Sequence, residues 1–131
     1  MIVVDTSALM AVVLSEPERG AILAVLLGED LIMSSGTLVE AASVYVAAFP
    51  EDHTPERLSA DLNRLRITIA QPTLEQAWLA ADARFRFGRG RHPAGLNYGD
   101  CFSYALAKSM NLPLLFKGAD FGRTDVKVAR Y

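Results

Sequence analysis

Four short apolar runs, spaced along the chain, constrain its fold more than any other feature. Ile2-Val3-Val4, Leu31-Ile32-Met33, Ile67-Thr68-Ile69-Ala70 and Leu114-Leu115-Phe116 are too short for helices and read as strands of a buried sheet. The stretches between them carry helix punctuation. Asp5-Thr6-Ser7 supplies cap chemistry for a helix from about Ala8 to Leu14, and Pro17 suits the first turn of a second helix that Gly28 ends. Ser34 to Thr37 is a turn-and-cap cluster before a helix from Leu38 to about Ala48, stopped by Pro50, and Thr54-Pro55 opens the next. Thr73 and Gln76 match a capping box, behind which Leu74, Ala77, Trp78, Ala81 and Phe85 recur at three- and four-residue spacing. That stripe assigns Trp78 to the core. A loop from Gly88 to Gly95 precedes a last helix, from Asn97 or Tyr98 to Met110, and Val126 to Ala129 is a candidate edge strand. Strands alternating with helices need crossover connections, so the expected fold is α/β: a three-layer α/β/α sandwich with a central, mainly parallel sheet. With 131 residues, no repeat and no linker, residues 1–131 are expected to form a single domain.

Composition narrows the setting. The chain is 51% apolar, but no apolar stretch approaches the roughly 18–20 residues that cross a bilayer. The start, Met1-Ile2-Val3-Val4-Asp5, lacks a basic region and a small-residue cleavage site, and the one cysteine, Cys101, rules out an internal disulfide. A cytoplasmic protein is expected. The net charge of −2 hides an uneven distribution, because Arg84, Arg86, Arg89 and Arg91 crowd one short stretch. Such a strip is either a solvated face or a hold on a phosphate backbone.

Ligands of open parallel sheets bind beyond the carboxyl ends of the strands, which makes the acids near those ends worth reading. Asp5 leaves the first strand, and Asp120 lies just past the fourth. Glu40 and Asp100 stand near the starts of two helices. Four carboxylates meeting there would repel one another unless a cation joined them. Oxygen donors suit Mg2+ or Mn2+, whereas zinc would recruit histidine or cysteine, and His53 and His92 are not at ligand spacing. A carboxylate-held Mg2+ points to phosphoryl chemistry. Each acid also has a plainer use. Asp5 can cap a helix, Glu40 can complete a capping box with Thr37, Asp100 can favour a helix dipole, and Asp120 and Asp125 can be turn residues.

Three stretches carry a family likeness. They are Val3-Val4-Asp5-Thr6-Ser7-Ala8-Leu9, Ser34 through Glu40, and the run from Gly88-Arg89-Gly90-Arg91-His92-Pro93 through Leu96-Asn97-Tyr98-Gly99-Asp100-Cys101-Phe102. Together with Pro113 to Gly118, Asp120-Phe121 and Thr124-Asp125-Val126, they resemble PIN domains of the VapC toxin type over essentially the whole chain. The resemblance implies a parallel sheet with flanking helices and an endoribonuclease dependent on Mg2+ or Mn2+. It also implies a homodimer and a VapB-type antitoxin partner. Carried onto this chain, it makes Asp5, Glu40 and Asp100 the metal-site acids, with the hydroxyl of Thr6 or Ser7 supporting Asp5. Where many PIN domains have a further aspartate this chain has Gly118, so Asp120 is the candidate fourth catalytic acid or else a structural residue. Arg84, Arg86, Arg89, Arg91 and Lys117 are candidates to hold RNA, and the arginines alternatively to hold an antitoxin segment. Gly118 keeps a second reading open, a catalytically weak module that binds RNA or antitoxin; a DNA-directed nuclease or small phosphatase on the same scaffold is a third.

The remaining notable residues divide simply. Cys101 is expected as a small buried hydrophobe and His92 as part of its loop. Phe85 and Phe49, like Trp78, are aromatics that could be mistaken for base-stacking groups. Tyr98 is open between stacking and capping. Leu9, Val12, Val13, Leu23 and Leu26 exceed what one buried face needs, which predicts a dimer contact on the first two helices.

Overall fold

The computed structural model describes residues 1–131. In chain order the elements are β1 (Ile2–Val4), α1 (Thr6–Val13), α2 (Arg19–Gly28), β2 (Leu31–Ser34), α3 (Ser35–Ala48), α4 (Pro55–Arg64), β3 (Ile67–Ala70), α5 (Leu74–Phe87), α6 (Asp100–Met110) and β4 (Leu114–Leu115). A 3-10 turn follows at Phe121–Arg123. The strands are all parallel, in the order β3-β2-β1-β4. Val126 to Ala129 is less than the expected edge strand. It makes one parallel bridge, in which Leu114 N–H donates to Lys127 O at 2.8 Å and Ala129 N–H donates to Leu114 O at 2.9 Å.

The period of two along each strand divides the interior into two cores. Ile2, Val4, Leu31, Met33, Ile67 and Leu115 pack with Leu9, Ile22, Leu26, Tyr45, Leu58 and Leu62 from α1 to α4. Val3, Ile32, Leu114 and Phe116 pack with Ala83, Phe87, Tyr104 and Leu106 from α5 and α6. Three layers result, as the alternation of elements predicts. Each large apolar side chain taken fully out of water contributes roughly 1.5–3 kcal/mol. No helix is long and apolar enough to cross a membrane.

Capping sets where the helices begin. Asp5 accepts from Ser7 N–H ahead of α1, Thr54 from Arg57 N–H ahead of α4, and both halves of the Thr73–Gln76 capping box form. Helix α3 starts three residues before the expected Leu38, because Ser34 is its cap and accepts from Gly36 N–H. Thr37 therefore lies inside the helix and does not form a capping box with Glu40. Pro17 sits in a turn just ahead of α2, and α6 starts only at Asp100, after a turn made by Asn97, Tyr98 and Gly99.

The expectation for Trp78 is overturned. Trp78 is 72% exposed, Leu74 77% and Phe85 68%, so the apolar stripe of α5 faces outward. Its buried side is the opposite one, with Gln76, Ala83 and Phe87. Small alanines there let α5 lie close to α6, and buried Gln76 is satisfied by a 2.9 Å bond from its Nε2 to Ser109 Oγ. Close approach outweighs the count of large apolar side chains. Leu9 and Leu26 are spent on the protein's own core, while Val12, Val13 and Leu23 are half-buried against it.

Candidate metal centre

The strand order reverses at β1, which lies between β2 and β4, and the crevice that this creates opens at the carboxyl ends. Asp5 leaves β1 there, its backbone N–H bonded to Leu115 O at 3.0 Å. Its Oδ2 accepts from Ser7 N–H at 2.9 Å and from Ser7 Oγ at 2.6 Å. Its Oδ1 accepts from Ser103 Oγ at 2.7 Å. Cap and cluster member are thus one role for Asp5, not alternatives. Ser103 has a single hydroxyl hydrogen and gives it to Asp5, so its 2.9 Å contact with Thr37 Oγ1 is a bond that Thr37 donates.

Glu40 comes in from α3, with Oε2 accepting from Thr6 Oγ1 at 2.9 Å. Gly99 makes room for it: a Cβ on Gly99 would lie 2.1 Å from Glu40 Cδ. Asp100 is held by Asn97 in a reciprocal pair. Asn97 N–H donates to Asp100 Oδ2 at 2.7 Å, and Asp100 N–H donates to Asn97 Oδ1 at 2.8 Å. Asp5, Glu40 and Asp100 each offer a carboxylate oxygen, and the three oxygens lie within 4.8 Å of one another.

The cluster carries charge that nothing in the chain neutralises. None of the protein's ion pairs includes Asp5, Glu40 or Asp100. Burial, and then the charge of Asp5, pushes the Glu40 carboxyl up from its ordinary value. Burial is also the main cause that lifts Asp100 to about 6, against the bond from Asn97 and with help from Asp5, Glu40 and Asp120. Partly desolvated carboxylates with oxygen-only donors and no basic neighbour fit a hard divalent cation.

The other predicted site residues are dispersed. Asp120 is exposed at the head of the 3-10 turn, outside the group of three, and reaches Asp100 only through its charge. Gly118 is at φ +105°, a left-handed conformation that an aspartate would rarely adopt. Thr6 and Ser7 both support acids, Thr6 holding Glu40 and Ser7 holding Asp5; Ser7 Oγ also accepts from Lys117 N–H at 3.0 Å. The Lys117 ammonium is occupied by Glu16 at 2.5 Å and Glu18 at 3.1 Å. Arg84 bonds to Leu96 O at 3.2 Å, and Arg86 pairs with Asp82 at 3.1 Å and Asp125 at 3.5 Å. Arg89 and Arg91 are exposed and form no ion pair. Ser103, Asn97, Thr37 and Gly99 are the site residues that sequence reasoning missed. Asn97 and Ser103 stand three residues either side of Asp100, a spacing that could have flagged them; the Thr37–Ser103 link has no such signal. His92 serves its loop, with Nδ1 accepting from Ala94 N–H at 3.0 Å and the ring edge-on to Phe87. Cys101 is buried, and desolvation raises its thiol to about 11.

The PIN domain profile matches residues 2–127. The chain belongs to the PIN domain family. Its curated relatives place it among the VapC ribonucleases. Ribonuclease VapC30 of Mycobacterium tuberculosis is 43% identical over 95% of each chain. Ribonuclease VapC of Mycolicibacterium smegmatis is 44% identical over 95% of this chain and 96% of its own. Among solved structures, VapC20 of Mycobacterium tuberculosis, a sarcin-ricin loop cleaving toxin, superposes with a TM-score of 0.76 at 16% identity over 100% of both chains. A toxin–antitoxin complex from Klebsiella pneumoniae gives a TM-score of 0.74 at 19% identity, over 100% of this chain and 98% of that one. At such identities these two likenesses speak for the PIN fold.

Proposed function

We propose that this PIN domain is an endoribonuclease dependent on Mg2+ or Mn2+ and acts in the cytoplasm as the toxin of a toxin–antitoxin pair. One observation carries the reading: three unneutralised carboxylates converge at the crevice of the sheet, in a chain whose relatives at 43–44% identity are named VapC ribonucleases. Asp5, Glu40 and Asp100 would hold the cation. When bound, it supplies the positive charge that the acids lack, and Lewis acidity towards water and phosphate. The chain's own groups do the positioning. Ser7 and Ser103 aim the two oxygens of Asp5, Thr6 orients Glu40, and Asn97 leaves one oxygen of Asp100 free of its turn. Asp120 acts on the site through its charge.

Arg89 and Arg91, free of ion pairs, are the first candidates to hold the RNA backbone. Arg84, Arg86 and Lys117 would have to leave partners within the chain to do so. A VapB-type antitoxin is the proposed inhibitor, and a second copy of the chain the proposed partner in a homodimer. The test is cleavage of total RNA with Mg2+ or Mn2+, with chelator, and by Asp5→Asn and Asp100→Asn. Cleavage is expected only by the unaltered protein with metal. Activity that persists in chelator and in both variants would sink the metal–carboxylate account.

A further inference from the structure

Glu40 belongs to two places at once. It is one of the three clustered acids, and it also lines a groove of about 570 Å³ beside them. One wall of the groove is a face of α3, where Ser35, Val39 and Ser43 recur at four-residue spacing beside Gly36 and Glu40. The opposite wall is Tyr98, Gly99 and Phe102, at the turn into α6.

Two glycines shape this groove. A Cβ on Gly36 would lie 2.4 Å from Phe102 Cγ, so the ring of Phe102 sits where any other residue of α3 would block it. Gly99 in the same way admits the Glu40 carboxylate. Phe102 in turn supports Tyr98, edge to face, at a centroid distance of 5.2 Å and an interplanar angle of 79°. Tyr98 is 77% exposed, and its hydroxyl bonds to nothing in the chain. It does not cap α6, since that turn is closed by Asn97 and Asp100. A large aromatic is therefore fixed from behind with its surface given to solvent, next to the acids.

We propose that this groove binds one unpaired base of a single-stranded RNA, adjoining the phosphodiester held at the acids, with Tyr98 as the stacking platform. The inference rests on the ribonuclease reading. The volume falls in the range of small-ligand pockets, about 300–1,000 Å³. Stacking needs a base whose face is free, which a duplex does not offer. Ser35 and Ser43 border the groove, and Ser43 donates its hydrogen to Val39 O, which leaves its oxygen available only as an acceptor. Continuity with the acids through Glu40 favours a nucleotide of the substrate over a peptide, because one strand can occupy both places.

The test is steady-state cleavage of a random-sequence single-stranded oligoribonucleotide, and of the same RNA in a duplex, by the full chain with Mg2+. Tyr98→Ala, Tyr98→Phe and Ser43→Phe are compared with the unaltered protein. Tyr98→Ala and the groove-filling Ser43→Phe are expected to raise KM for single strands by roughly one to two orders of magnitude, with kcat within a few-fold. Tyr98→Phe should restore KM, and Tyr98→Ala should erase the preference for single strands over duplex. Unchanged thermal unfolding is expected, since both positions are exposed. An unaltered KM in Tyr98→Ala and Ser43→Phe, alongside normal wild-type cleavage, removes the base subsite and leaves the nuclease standing. A shift from dimer to monomer in Tyr98→Ala or Ser43→Phe by light scattering, with KM for RNA unchanged, assigns the groove to a second copy of the chain and overturns the proposal. Failure of the unaltered chain to cut any RNA removes the nuclease reading, and this inference with it.

Discussion

Asp100 shows how much one residue's meaning depends on its surroundings. As a letter it is an acid in the first turn of a helix, a position that the helix dipole alone explains. In the folded chain one oxygen closes a turn with Asn97 and the other is left to a partly desolvated cluster, where its carboxyl rises to about 6 from an ordinary 3.8. A raised acid is protonated more readily in the folded than in the unfolded chain. Its share of stability is therefore present below about pH 4 and is lost as pH climbs through 6, and Glu40 acts in the same direction. Chemical denaturation between pH 4 and 7 should show this loss in metal-free protein, reduced in Asp100→Asn and relieved by saturating Mn2+. A metal-free protein whose pH dependence is the same with and without Asp100 would contradict the assignment. Asp5 was legible as the residue leaving a strand. Ser103, which holds it, was not, because nothing local says that a serine 98 residues away meets that carboxylate.

Among the elements, α5 departs furthest from expectation. Spacing read its large apolar residues as the inner face, yet the helix turns alanines, Phe87 and a satisfied glutamine inward. Periodicity locates a stripe but does not say which neighbour the helix will meet. The consequence is measurable. At concentrations where the chain is monomeric, Trp78→Ser should change unfolding free energy by no more than about 0.5 kcal/mol, whereas Phe87→Ala should cost roughly 3–5 kcal/mol. Reversal of that order in urea denaturation would restore the sequence's version of the helix. In α3, the displacement of the cap from Thr37 to Ser34 moves Glu40 deeper into the helix and frees Thr37 to reach Ser103.

At the scale of the molecule, large apolar side chains more than half exposed stand on three helices, with Val39 67% and Val46 54% exposed on α3. Leu27 on α2 is 70% exposed, and Leu74, Trp78 and Phe85 line the outside of α5. A dimer at micromolar concentration is expected by light scattering, and a monomeric wild type would refute the proposed pairing. Leu27→Glu and Trp78→Glu then report whether α2 or α5 is covered, since a charge buried at the contact should yield monomers. The sequence by itself determined the layers, because strand runs alternating with capped helices leave few parallel arrangements. It also marked Asp5, Glu40 and Asp100, both by their nearness to strand ends and by likeness to a family. Only the tertiary structure decided that these three come within 4.8 Å while Asp120 stays outside, and that Lys117 is spent on Glu16 and Glu18. It alone turned Tyr98 outward beside them, away from the cap. The reason is physical: spacing encodes which face of an element a residue shares. Meetings between elements depend on close packing, such as Gly36 against Phe102 and Gly99 against Glu40, which no local pattern records.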